Sequence, residues 1–227
     1  MSLQSITHVL GLEFRSLSLE KRRVFYFLMG LILTSIYLVI AYGYGPIETP
    51  DGRRELEFSR LLASLDFNLM QFSELSQQAK TAVDMPQAPI SYLLFLLLLH
   101  ISDLIAAENW VYALVGINVL VATSTSLLLV RIGECCGLSL AAILTIFGFS
   151  AFTWEANQWI GMSQSESIFC LTSLVTFLFV HRAMTTSATG KSGRWWITAV
   201  LMAIACQFVR PTSLPIIALI TFVFFFS

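Results

Sequence analysis

From Val24 to Ile47 the chain runs for 24 residues without an Asp, Glu, Lys or Arg. A helix needs about 20 apolar residues to cross the ~30 Å hydrocarbon layer of a bilayer, so this run is long enough to span. Lys21, Arg22 and Arg23 stand directly before it. The positive-inside rule then predicts a cytoplasmic N-terminus over residues 1–23 and a first transmembrane helix over 24–47. The apolar stretch exceeds the roughly 7–15 residues of a signal-peptide core and no A-x-A site follows, so the segment is expected to be an uncleaved anchor.

Composition extends this to the whole chain. Only 12% of the 227 residues are charged, 56% are hydrophobic and 18 are phenylalanine, whereas a soluble domain carries about 25% charged residues. There is too little polar surface to cover a water-soluble globule. A disordered chain, a secreted disulfide scaffold and a nucleic-acid binder with a basic face are excluded on the same ground.

Further runs without formal charge are Met85–Ser102, Asn109–Val130, Cys135–Trp154, Ser167–His181, Trp195–Val209 and Pro211–Ser227. Met85–Ser102 is the ambiguous one, with Pro86 and Pro89 at its start and Asp103 and Glu108 just beyond it. The parity of crossings before Arg131 fixes the side of every later loop. If Met85–Ser102 does not cross, the inside segments 1–23, 131–134 and 182–194 hold eight basic residues against five outside, and 11 of the 14 acids lie outside. Segment 182–194 decides the matter, since Arg182, Lys191 and Arg194 occur there without an acid. The expected fold is therefore an all-α, polytopic transmembrane helical bundle. Residues 48–108 form a long first external loop carrying membrane-surface helices, and 109–227 contribute about five spans.

Within that loop, Phe58, Leu61, Leu62 and Leu65 follow helical spacing while Glu55, Glu57, Arg60 and Ser64 take the opposite face. The pattern predicts an amphipathic surface helix over 54–65. Polar turns are expected over Ser73–Asp84, then a proline breaker and the apolar run Ile90–Leu99. Trp154 and Trp159 fall at the outer boundary and Trp195 and Trp196 at the inner one, as in an aromatic belt. Cys135, Cys136, Cys170 and Cys206 make no ligand motif, and His8, His100 and His181 lack zinc spacing. The Cys135–Cys136 pair reads as two small interfacial residues, or as thiols open to palmitoylation.

In a chain this apolar, charges at the membrane boundary are the functional candidates, because a charge at the bilayer centre costs about 2.5–3.5 kcal/mol on insertion scales. On the outer side these are Glu48, Asp51, Arg53, Arg54 and Glu55, then Glu155, Glu166 and Arg210.

Four short segments, taken in order, resemble the GT-C superfamily of multi-span glycosyltransferases that use sugars carried on polyprenyl phosphates. Thr49-Pro50-Asp51-Gly52, with Leu56 to Leu62 following, is similar to the acidic first-loop region of bacterial members. Met85-Pro86-Gln87-Ala88-Pro89-Ile90-Ser91-Tyr92-Leu93-Leu94 looks like their P-P-x-Y-P-L-L entry to a surface helix. Gly161 to Ser167 is similar to the second-loop motif ending in an acid, here Glu166, and Val209-Arg210-Pro211 looks like the R-P that starts a later helix. Together they cover most of residues 20–215. Glu55 occupies the neighbourhood of the family's first-loop tyrosine. Members are generally longer, so the resemblance implies an N-terminal portion of such a protein.

The resemblance implies an inverting transfer at the non-cytosolic face of a bacterial inner membrane. Asp51 would be the base that takes the acceptor proton, with Glu48 in reserve. Arg210 would clamp the donor phosphate, Arg53 and Arg54 would bind that phosphate or lipid headgroups, and Glu166 would orient the acceptor. Gln164 stands where many relatives place a carboxylate, so a divalent metal is disfavoured and no other cofactor is implied. The expected partners are the lipid-linked sugar donor and membrane lipids. Read without the resemblance, Asp51 is a turn residue, Arg210 a snorkelling arginine and Glu166 a helix-start acid complementing the dipole. The rival functions are a non-catalytic multi-span subunit and, less well matched, a transporter, which would want polar breaks at mid-helix.

Overall fold

The structure is a computed structural model that describes residues 16–43, 45–83, 92–152, 160–162, 165–186 and 192–210. Among the described residues there are eight α-helices and no strand beyond one isolated bridge between Ile47 and Met162. They are α1 (Leu19–Gly43), α2 (Pro50–Ser64), α3 (Leu69–Val83), α4 (Leu93–Ala106), α5 (Trp110–Cys135), α6 (Leu140–Phe152), α7 (Glu166–Thr186) and α8 (Ser192–Val209), with a 3-10 turn at Ala107–Asn109. Three helical stretches are long and apolar enough to cross a membrane: α1, the 43-residue stretch Leu93–Cys135, and α7. Helices α6 and α8 are shorter and apolar.

Paired contacts along their lengths set α1 and α5 antiparallel. Arg22 meets Glu134 at one end, Thr34 meets Thr123 at 3.2 Å in the middle, and Tyr42 donates to the Tyr112 carbonyl at 2.7 Å at the other end. Helices α7 and α8 are antiparallel as well, tied by Glu166 to Arg210, by Cys206 Sγ to the hydroxyls of Thr172 and Ser173 and by Arg182 over the Trp195 ring. The chain thus leaves α1 and enters α5 at the same end of the pair, here called the loop end. Lys21, Arg22, Arg23, Arg131, Arg182 and Arg194 gather at the opposite end.

The 43-residue stretch does not continue as one rod. Ala107 takes a φ of 39°, the 3-10 turn breaks the axis, and α4 packs back against α5 and against α2 and α8. Phe95, Leu96 and Leu99 of α4 are buried in the same core as Trp110, Leu114 and Val115 of α5 and Leu56 and Leu62 of α2. At 14 residues α4 is about 21 Å long, shorter than the hydrocarbon layer. Ser59 supports the close α2–α4 approach by donating to the Leu96 carbonyl at 2.8 Å. Arg60 adds a two-pronged pair with Asp103, at 3.0 and 2.7 Å, which holds the Asp103 carboxyl below its usual range.

Three local features differ from the sequence expectations. Helix α1 runs over Leu19–Gly43 rather than 24–47, leaving the helix at Gly43 just before Gly45 takes a φ of 80°. Helix α2 begins four residues before the expected start, because Thr49 caps it, its hydroxyl accepting from the Gly52 N–H at 3.0 Å, and Pro50 supplies the preset first turn. Residues 73–83 are helix rather than polar turns. Asn68 caps the Gln71 N–H at 3.2 Å, and Phe72 and Ser76, four apart, are both buried and anchor one face. Met85 to Ser91, Trp154, Trp159, Gln164 and the run 211–227 lie outside the described residues.

Helix α5 ends on a Schellman turn. Leu138 N–H reaches the Gly133 carbonyl and Gly137 N–H the Glu134 carbonyl, both at 3.1 Å, with Gly137 at a φ of 73°. Only glycine takes that conformation without penalty. Gly137→Ala is expected to lower stability by about 1 kcal/mol, read as a drop in unfolding temperature in detergent; an unchanged temperature would contradict the turn.

Candidate functional site

The first turn of α2 sets the site's geometry. Asp51 and Arg54, three residues apart, form an ion pair. Glu55 lies four residues from Asp51 and so shares its face of the helix. Helix α7 opens on Glu166 and α8 closes just before Arg210, and because those helices are antiparallel their ends meet in the Glu166–Arg210 ion pair. Tyr92, at the entry to α4, stands within electrostatic reach of Glu55, Arg210, Asp51 and Glu166. Four segments distant in sequence therefore converge at the loop end.

Glu55 sits between the two ion pairs and joins neither. Burial, first, and then the charges of Asp51 and Glu166 push its carboxyl up to about 8, against the opposing pull of Arg54 and Arg210. At neutral pH it is mainly the neutral acid, so the cluster carries two guanidiniums against two carboxylates. A protonated carboxyl donates a hydrogen bond where a carboxylate only accepts. Burial and the neighbouring carboxylates also raise the Tyr92 phenol, so it too remains a donor.

Below the cluster, a cavity of about 460 Å³ opens among α1, α5, α6 and α7. Ala122, Leu129, Ile160, Phe169 and Leu174 give it apolar walls, and Glu166 stands at one end. One Glu166 oxygen is taken by Arg210. The other is buried and has no partner among the described residues. Such an atom is costly to leave unmade and ready to accept a hydroxyl.

The sequence candidates divide into two groups. Asp51, Arg54, Glu166 and Arg210 come together. Glu48 and Arg53 pair with each other and face a different recess, about 430 Å³, beside Glu57, Arg60, Glu108 and Trp110. The Glu48 hydrogen bond raises the Arg53 guanidinium. Sequence reasoning placed Glu55 on the outward polar face of α2; tertiary packing turns it inward. The i, i+4 spacing from Asp51 was the available signal. Among the described residues no group of three His, Cys, Asp or Glu could hold a metal ion.

Fold, composition and charge placement define the class, an all-α helical bundle of the membrane. Comparison with known protein families, with curated protein sequences and with solved structures finds no match to this chain.

Proposed function

We propose that the chain is a membrane glycosyltransferase of GT-C type that moves a sugar from a polyprenyl-phosphate donor to an acceptor hydroxyl. The observation that carries this reading is the convergence of Asp51, Arg54, Glu55, Tyr92, Glu166 and Arg210 at one end of the bundle, next to an apolar cavity. A lipid-linked donor keeps its phosphate at headgroup level and its tail in hydrocarbon, and this juxtaposition suits both parts. The loop end then faces the non-cytosolic side and the basic end the cytoplasm, in a bacterial inner membrane.

In this reading Asp51, which is 64% exposed, takes the acceptor proton as the acceptor oxygen bonds to the anomeric carbon. The bond from that carbon to the phosphate oxygen breaks, and the phosphate leaves with the electron pair. Arg210 and Arg54 exchange their carboxylate partners for phosphate oxygens, which a guanidinium fork matches well. Glu55 in its neutral form and Tyr92 donate further hydrogen bonds without repelling the anion.

Two measurements test the reading. With membranes holding the chain, a labelled polyprenyl-phosphate sugar and an acceptor, Asp51→Asn is expected to lower transfer at least about a hundredfold at unchanged membrane abundance. Full activity in that variant removes Asp51 as the base. For sidedness, the four native cysteines are replaced and single cysteines placed at the exposed positions Ile105 and Thr185. An impermeant thiol reagent on intact cells is expected to label the first and spare the second; the reverse pattern inverts the proposed orientation.

The second reading, a non-catalytic subunit, is favoured by one observation: both site arginines already hold carboxylates, as they would if their work were to pin α2 and α8 in place. Absence of transfer by the unaltered, folded chain selects it.

A further inference from the structure

The end of the bundle opposite the loop holds a second charged group that the proposed transfer does not use. Glu134, in the last turn of α5, is 2% exposed, and three side chains converge on it. Arg22 from the first turns of α1 forms an ion pair with one carboxylate oxygen, and Arg131, three residues before Glu134, with the other. The Tyr26 hydroxyl donates to Oε2 at 2.9 Å. Two guanidiniums against one carboxylate leave a surplus positive charge.

That surplus is not sealed in. The Arg22 and Arg131 side chains are 24% and 43% exposed, and exposed Lys21 and Arg23 add to the local field. The buried Arg22 Nε–H has no partner among the described residues, so the Arg22 fork is incompletely used there. Each guanidinium offers five N–H donors and Glu134 can accept only some of them. By engaging both arginines, Glu134 fixes them side by side, the arrangement that recognises a phosphate through two forks. On the same end of α5 an apolar cavity of about 400 Å³ opens toward α7, lined by Leu129, Ile132, Leu174, Phe177, Leu178 and Met184 among others. It lies across α5 from Glu134, because Ile132 and Cys136 are each two residues, about 200° of helix, away from it.

We propose that Arg22 and Arg131, positioned by Glu134, bind one phosphate-bearing anion at this end of the bundle. An anionic lipid headgroup and free inorganic phosphate share the required chemistry. In a bundle of the membrane the anionic lipid is the source at hand, since its headgroup lies at the level of the helix ends. The inference does not rest on the proposed transfer reaction and stands or falls apart from it.

The test is native mass spectrometry of the chain in a non-ionic detergent, titrated with phosphatidylglycerol, phosphatidylcholine or inorganic phosphate. One phosphatidylglycerol per chain is expected, held at least about tenfold more tightly than phosphatidylcholine. Arg22→Gln and Arg131→Gln are each expected to weaken it roughly tenfold, the worth of one charge-assisted hydrogen bond. The Lys21→Gln/Arg23→Gln variant should weaken it by less than about twofold, since exposed charges act only through a screened field. Inorganic phosphate binding one per chain, with the same losses in the two arginine variants, supports the site with free phosphate as the source. Equal retention of phosphatidylcholine, with no phosphate bound, or equal losses in the Lys21/Arg23 variant overturns it. Because the glutamine variants also cut a tie between α1 and α5, Arg131→Lys is measured beside them. It keeps the charge and loses the fork, and is expected to weaken binding at an unchanged unfolding temperature; full binding in this variant counts against the two-fork site.

Discussion

Replacing Glu55 by Gln raises the unfolding temperature of the detergent-solubilised protein at pH 8–9 and leaves it nearly unchanged at pH 5. The sign follows from where the proton sits. In the unfolded chain the Glu55 carboxyl loses its proton near the ordinary value of 4.5, whereas in the folded bundle it holds it to about 8. Between those values the folded state binds more protons, so the stability that Glu55 contributes is fully present below the lower value and is lost as pH rises through the higher one. Glutamine stays neutral throughout and escapes that loss. A shift from 4.5 to about 8 sets an upper bound on the order of 4–5 kcal/mol for the difference at alkaline pH. Asp51→Asn should narrow the window, because the Asp51 charge is the largest cause of the shift after burial. Parallel melting curves for Glu55→Gln and the unaltered protein from pH 5 to 9 would contradict the raised Glu55 carboxyl.

The second large effect concerns the tie between α7 and α8. Arg210→Ala leaves Glu166 without its counter-charge, while the second Glu166 oxygen is already buried and unpartnered among the described residues. A buried pair broken on one side costs about 3–5 kcal/mol. Here the side chains are 34% and 23% exposed, so solvent screening reduces the expected loss to roughly 1–3 kcal/mol. Removing both partners, Glu166→Ala with Arg210→Ala, should recover part of the stability because no orphaned charge remains. Sugar transfer separates a clamp from a mere latch. If Arg210 holds the donor phosphate, the double variant regains stability but not transfer. If the arginine only pins the helices, transfer returns with stability. If Arg210 is the clamp, Glu166→Gln alone releases it from its carboxylate and lowers the KM for the proposed donor several-fold, by about 1 kcal/mol of binding.

Charge spacing along the chain carried most of the architecture. Runs such as Val24–Ile47 and Asn109–Val130 can satisfy their backbone and bury their side chains in hydrocarbon only as helices, so α1 and α5 were legible from one dimension. The grouping of Lys21, Arg22, Arg23, Arg131, Arg182 and Arg194 also follows from helix order once each apolar run except Met85–Ser102 is allowed to reverse the chain. The loop was less legible. Residues 73–83 are mostly polar, and a cap at Asn68 with a buried Phe72 decides for helix where composition pointed to turns. The start of α2 was written in Thr49-Pro50, yet the same tetrapeptide also makes a turn, and only the packed Leu56 and Leu62 select the helix.

The candidate site shows the same division. Asp51, Glu166 and Arg210 stood out because charges are rare in so apolar a chain, and a rare charge at a helix end can be read without coordinates. Which of them share a partner could not be. Glu48 and Arg53 are as close in sequence to Asp51 as Arg54 and Glu55 are, but a helix turns 100° per residue and sends them to a different recess. Glu55 belongs to a polar stripe in the linear pattern and becomes the half-buried centre of the cluster, because the ends of α7 and α8 and the entry to α4 lie around it. Hydrophobicity is a property of each residue and survives in one dimension. Burial and electrostatic environment are properties of neighbours, and these neighbours lie on four segments up to 159 positions apart, from Asp51 to Arg210.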